Sequence, residues 1–124
     1  MDEKNTGLVV EDDEDLRNML ACTLERSGFN VVVTTNGSEA MVALECNLVD
    51  VVLSDINMPV MDGVALTRHI NTKFKDLPVI LMTGRLKANT PELADLEVFK
   101  VIEKPFTPSV IMSLINQAIV ASAA

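Results

Sequence analysis

The sequence predicts an α/β domain built on a doubly wound parallel sheet with helices on both faces. Three observations carry that expectation. Five short apolar runs are continuous rather than alternating, as in strands covered on both sides. Stretches with helical periodicity or helix-start signals separate them, in the strand-helix alternation of a parallel sheet. The length of 124 residues makes one ordinary domain that needs no disulfide or structural metal to bury a core.

The elements follow in order. Gly7-Leu8-Val9-Val10 reads as a buried strand that runs straight into Glu11-Asp12-Asp13-Glu14-Asp15. Leu16, Met19, Leu20, Thr23 and Leu24 then recur at helical spacing, and Ser27-Gly28 supplies the stop. Asn30 to Thr34 is a second strand, Asn36-Gly37-Ser38 a turn and cap, and Ala40, Ala43 and Leu44 mark a shorter helix. Val49 to Leu53 forms a third strand ending at Ser54-Asp55. Pro59 and Gly63 make the next stretch a loop, followed by a helix with Leu66, Thr67, Ile70 and Phe74 on one face. Pro78 to Met82 is the fourth strand, ending at Thr83-Gly84, and Arg85 to Asn89 is a polar loop. Thr90-Pro91-Glu92 starts a short fourth helix, with Pro at the first helical position. Val98 to Ile102 is the fifth strand, ending at Glu103-Lys104-Pro105. The last helix starts near Thr107-Pro108 and carries Ile111, Leu114, Ile115, Ala118 and Ile119.

Composition narrows the function. Ten Lys+Arg against 18 Asp+Glu leave a net charge of -8. An acidic chain is repelled by phosphate backbones and by anionic membrane surfaces, so neither nucleic acid nor membrane is an expected partner. No apolar run reaches the ~18 residues of a spanning helix, and the N-terminus lacks a signal-peptide core, so a cytoplasmic protein is expected. Cys22 and Cys46 have no Cys-x-x-Cys spacing and fall inside helical patterns, where they read as small buried hydrophobes in a reducing compartment. The single histidine, His69, reads as solvent-facing from its neighbours Arg68 and Asn71, and Met58 and Met61 read as loop packing.

In doubly wound sheets, ligands sit outside the carboxyl ends of the strands. Those ends carry Glu11-Asp12, Asp55, Thr83 and Lys104. Two carboxylates about 5 Å apart repel by about 3 kcal/mol at an effective dielectric of about 20, so such a cluster raises its pKa values or recruits a cation. Oxygen donors without His or Cys select a hard ion, Mg²⁺ or Mn²⁺. Asp55, flanked by a metal, an ammonium and a hydroxyl, has the surroundings of a carboxylate nucleophile that forms an aspartyl phosphate. Each group alone has an ordinary structural reading, as a helix cap or solvated loop residue; their coincidence at successive strand ends sets them apart. Asp13 reads as a helix-start residue.

Leu8-Val9-Val10-Glu11-Asp12-Asp13, Asp55-Ile56-Asn57-Met58-Pro59-Val60-Met61-Asp62-Gly63, Leu81-Met82-Thr83-Gly84 and Glu103-Lys104-Pro105-Phe106 together resemble the receiver domain of two-component response regulators. The likeness covers essentially the whole chain, 1–124, which is expected to be one single-domain, chemotaxis-regulator-like receiver without an output domain. The implied fold is flavodoxin-like, with strand order 2-1-3-4-5. The resemblance implies that Asp55 is the phosphoacceptor and that Thr83 and Lys104 contact the phosphoryl group. It also implies that Glu11, Asp12 and Asp55 hold Mg²⁺ with the Asn57 backbone carbonyl, Asp12 directly and Glu11 through water. The Lys104-Pro105 bond is expected to be cis. The implied partners are a histidine kinase or histidine phosphotransfer protein and a downstream protein on the face of the fourth helix and fifth strand.

The sequence departs from the family pattern at that face. Val101 occupies the place of the usual aromatic three residues before the lysine, with Phe99, on the same face by strand alternation, as its substitute. Gly84 replaces the commoner Ala, and Leu96-Glu97-Val98-Phe99 replaces the usual Gly-Ala turn. Asn57 and Arg85 flank the phosphoryl site. A receiver cut from a hybrid kinase and serving a phosphorelay would look the same. A Mg²⁺-dependent phosphohydrolase with an Asp nucleophile needs a second acid two residues on, where Asn57 stands. A flavin-binding relative needs a Ser/Thr/Gly-rich loop after the first strand, where the acidic run stands. A scaffold without phosphorylation would have lost the acceptor, the acids or the lysine, all of which are present.

Overall fold

Val9 packs on one side of the sheet while its neighbours Leu8 and Val10 pack on the other, and this alternation organises the molecule. The computed structural model describes residues 4–84 and 93–123. Five strands, β1 (Thr6–Val10), β2 (Asn30–Thr34), β3 (Val51–Asp55), β4 (Val79–Thr83) and β5 (Lys100–Glu103), pair in parallel in the order β2-β1-β3-β4-β5. Four helices are described: α1 (Glu14–Arg26), α2 (Gly37–Cys46), α3 (Gly63–Lys73) and α4 (Pro108–Ala123). The expected polar loop at Arg85 to Asn89 and the short helix starting at Thr90-Pro91-Glu92 lie outside the described residues.

One core layer joins Leu20 and Leu24 of α1 and Ile111, Ile115 and Ala118 of α4 to Val9, Leu53, Ile80 and Met82. The other joins Ala40, Ala43 and Leu44 of α2 and Leu66 and Ile70 of α3 to Leu8, Val10, Val52 and Leu81. Both sheet faces are thus covered, which is why β3 and β4 are buried at every position rather than at every second one. No helix among the described residues is long and apolar enough to cross a membrane.

The strand and helix limits follow local chemistry. Asp13, Asn36 and Asp62 cap α1, α2 and α3, their side-chain oxygens accepting from the N–H groups of Leu16, Glu39 and Ala65 at 2.9–3.0 Å. At the other end of α1, Gly28 (φ 92°) lets the chain turn back: Phe29 N–H donates to the Leu24 carbonyl and Gly28 N–H to that of Glu25, both at 3.0 Å. That is a Schellman stop with Phe29 buried beside Leu24. β5 begins at Lys100, two residues later than the apolar run suggests. The Asn71 side chain accounts for the delay, since it donates to the Glu97 carbonyl (2.9 Å) and accepts from the Glu97 N–H (2.8 Å), drawing the chain toward α3 before it joins the sheet.

Three expectations are corrected. Cys22 and Cys46 are exposed: Cys22 lies two positions from both Leu20 and Leu24, hence across the helix from the buried stripe, and Cys46 stands likewise to Leu44. His69 is half-buried rather than solvent-facing. Three residues after Leu66, it flanks the apolar stripe of α3, its ring tilted against Phe74 at 6.2 Å and its Nε2 buried without a hydrogen-bond partner. Phe99 and Val101 do not share a face, because the chain bends at Phe99, whose N–H already donates to the Val79 carbonyl (2.7 Å), and regular alternation starts only at Lys100. Phe99 packs with the α1/α4 layer, and Val101 with the α2/α3 layer. Met58 and Met61 pack against the α2/α3 layer as expected.

The start of α2 makes one measurable statement about pH. The Thr35 N–H and hydroxyl both donate to Glu39 Oε1 at 2.8 Å and hold the carboxyl below its ordinary 4.5. A carboxyl depressed in the folded state stabilises above its unfolded pKa, and that contribution is lost as pH falls through the folded value. Acid unfolding of Glu39→Gln is therefore expected to show a shallower loss of stability below pH 4.5 than the parent chain, read by denaturant midpoints at successive pH values.

Candidate functional site

The carboxyl ends of β1, β3, β4 and β5 deliver their terminal side chains to one crevice, because neighbouring parallel strands end at the same level. Glu11, one residue past β1, is 1% exposed, and Asp55, the last residue of β3, is 6% exposed. Asp12 is exposed at the mouth. Oxygens of these three carboxylates lie within 4.8 Å of one another. Lys104, following β5, reaches between the two buried acids: its Nζ is 3.1 Å from Glu11 Oε1 and 3.2 Å from Asp55 Oδ1. Thr83 ends β4, is 4% exposed, and its carbonyl accepts from the Lys104 N–H at 2.7 Å. The Lys104-Pro105 bond is cis, as expected.

The electrostatics follow from burial. Withdrawal from water pushes the Glu11 carboxyl up, as does the charge of Asp55, against the Asp13 N–H and the Lys104 ammonium, which favour its charged form. Asp55 is raised for the same first reason and by Asp12, with Lys104 opposing. Burial works against the Lys104 ammonium, yet its bond to Glu11 and the charges of Asp55 and Glu11 outweigh that and leave its pKa raised. A carboxylate pair at this spacing repels by about 3 kcal/mol at an effective dielectric of about 20, so one lysine leaves the cluster short of positive charge. Glu11 has both oxygens engaged, Oε1 by Lys104 and Oε2 by the Asp13 N–H at 3.1 Å, which leaves Asp12 and Asp55 the freer donors. This oxygen-only set fits a hard divalent cation.

Of the residues expected to form the site, Glu11, Asp12, Asp55 and Lys104 are thus brought together, and Thr83 is tied to Lys104 through the backbone. Asn57 lies exposed two residues beyond Asp55. Arg85 lies outside the described residues.

Two features escaped the sequence reading. Gly63, first residue of α3, donates its N–H to the Ile56 carbonyl at 2.8 Å; a Cβ there would overlap the Asp55 carbonyl oxygen and come within 2.9 Å of Ile56 Cα. The helix leans directly on the backbone of Asp55. A glycine immediately after a capping Asp, where helix formers are usual, is the signal that marks it. Val60 has φ 70° at the centre of a γ-turn closed by the Met61 N–H on the Pro59 carbonyl (2.8 Å), a strained conformation for a β-branched residue. Its side chain is 83% exposed, and no sequence pattern announces the turn.

The family model for the response regulator receiver domain matches residues 8–116. This chain belongs to that family. As a receiver, it is 45% identical over 76 residues to the C4-dicarboxylate transport transcriptional regulatory protein DctD of Rhizobium meliloti, covering 61% of this chain and 16% of that protein. It is 33% identical over 116 residues to the response regulator receiver protein CpdR of Brucella abortus, covering 93% of this chain and 97% of that one. The receiver spans 16–25% of the length of the first curated relatives it matches. Among solved structures it is similar to the chemotaxis response regulator CheY4 of Vibrio cholerae, with TM-score 0.86, 25% identity, and coverage of 94% of this chain and 99% of that one. The expected strand order is the observed one, and the family is one of signalling domains rather than turnover enzymes.

Two substitutions test the supports of the site. Gly63→Ala is expected to destabilise the receiver by roughly 2–3 kcal/mol and to shift the Asp55 and Ile56 amide resonances, since the added methyl meets backbone rather than a yielding side chain. Val60→Asn is expected to stabilise it by about 1 kcal/mol, because Asn tolerates positive φ. The readout is a higher denaturant midpoint with unchanged m value.

Proposed function

We propose that Asp55 is the phosphoacceptor of this receiver, taking a phosphoryl group from a histidine kinase or a histidine phosphotransfer protein. The observation that supports it is the Lys104 ammonium held between Glu11 and Asp55, a cation positioned where charge develops when phosphate arrives. An Asp55 carboxylate oxygen attacks phosphorus; the new P–O bond forms as the P–N bond of the donor phosphohistidine breaks, and the imidazole leaves. Lys104 pairs with a phosphoryl oxygen, and the Thr83 hydroxyl donates to another. Asp12 and Asp55, with the Asn57 backbone carbonyl, would hold Mg²⁺ (Mn²⁺ also suits the donors), and Glu11 would act through water. The ion supplies charge neutralisation for the transferring group.

The domain is then a self-modifying phosphoacceptor. With Asn57 in place of a second acid, it lacks the general acid of a phosphohydrolase, and slow loss of its own acyl phosphate is the only turnover expected. Phosphorylation leaves about −2 charges at Asp55 where the carboxylate carried one, and biases the β4 and β5 ends between two arrangements. The output is a protein contact on the β5 side, in the cytoplasm, with neither nucleic acid nor membrane as target. Residues 1–124 act as one receiver unit, either alone or as the phosphorelay receiver of a hybrid kinase.

Intact mass after acetyl phosphate and Mg²⁺ is expected to show a single phosphoryl adduct in the parent chain and none in Asp55→Asn. Lys104→Ala is expected to slow the reaction on the order of a hundredfold. An adduct retained at equal yield in Asp55→Asn places the acceptor elsewhere.

A further inference from the structure

Where β1 ends, its backbone outruns the sheet. The last β1–β3 pair is Val10 with Ser54, and beyond it the Ile56 N–H turns to the Met82 carbonyl. The carbonyls of Glu11 and Asp12 therefore have no ladder partner at the point where their side chains must be aimed. Arg17, half-buried one turn into α1, supplies one: its Nη1 lies 3.0 Å from the Glu11 carbonyl oxygen and 3.4 Å from that of Asp12. Asp13 fastens the same turn from the other side. Its N–H donates to Glu11 Oε2 at 3.1 Å while its own carboxylate caps α1 through the Leu16 N–H.

We infer that Arg17 is a positioning residue for the acidic pair, fixing the Glu11-Asp12 backbone so that both carboxylates face the cation they share with Asp55. This rests on the metal role proposed above. Arg17 grips carbonyls and, among the described residues, forms no ion pair, so the carboxylates keep their charge for the metal. One nitrogen, Nη1, serves both carbonyls, and the ammonium of lysine, on a stem one bond shorter, does not reach the same point.

Position and charge predict opposite signs, which makes the test sharp. A fixed positive charge so close repels Mg²⁺, so if charge were its main effect, removing Arg17 would tighten binding. If positioning dominates, removal weakens binding. Mg²⁺ alone is titrated into the chain and followed by amide chemical shifts. Arg17→Ala is expected to weaken binding about tenfold, in the range for residues that orient metal ligands. Arg17→Lys is expected to recover only part of it, and Arg26→Ala, in the last turn of α1, to leave it unchanged. Without metal, hydrogen exchange at the Asp12 and Asp13 amides is expected to speed up in Arg17→Ala while the rest of the sheet keeps its protection. Should Arg17→Ala not fold, Arg17→Met, which retains the stem, makes the same comparison. Equal or tighter Mg²⁺ binding without the guanidinium overturns the inference alone. A parent chain with no saturable response to Mg²⁺ overturns the metal assignment and the inference together.

Discussion

A single ammonium between two buried carboxylates is the interaction on which the site depends. Glu11 and Asp55 are both nearly inaccessible, and two such acids cannot remain charged together without a neighbouring cation. Lys104 reaches both. It can do so only because β5 ends level with β3 and because the Lys104 N–H is held by the carbonyl of Thr83. One amine thus links three strand ends that lie far apart in the chain, and it leaves the charge of Asp12 for an added ion.

The fold reaches that arrangement by economical means. The strand order brings β1 and β3, which carry the acids, to neighbouring places, with β4 and β5 following on one side. Capping side chains start α1, α2 and α3, with three residues between β1 and α1, two between β2 and α2 and seven between β3 and α3. Arg17 and Gly63 then act on the backbone itself. The first grips the carbonyls beneath the acidic pair, and the second lets a helix approach the peptide of Asp55 with no side chain between.

Much of this was legible in the sequence. Continuous apolar runs identified all five strands, and the acids, Thr83 and Lys104 stood out because they close those runs. The misreadings of His69 and of the two cysteines share one physical cause: a face is set by helical phase, not by residue identity. Polar neighbours made His69 look exposed, although on a helix Arg68 points about 100° away from it and Asn71 about 160° away. A helical pattern made Cys22 and Cys46 look buried, although each sits two residues off its stripe. Alternation fails at Phe99 for another reason, a bend in the chain at the residue whose N–H first donates to β4. Arg17 and the Val60 turn had no signal at all, since both depend on backbone paths that only the assembled loops define.

The closeness of Gly63 to Asp55 gives the crevice one unyielding wall. On that side helix meets peptide through a hydrogen bond and van der Waals contact, with nothing compressible in between. At the other end of α3, the chain leading into the amino end of β5 is moored by Asn71 and by the Arg68–Asp95 pair, contacts open to water and readily exchanged for solvent. Bulk added at Asp55 would meet no give at Gly63, whereas the approach to β5 could shift by exchanging exposed contacts for water, so uneven stiffness would set the direction of any deformation.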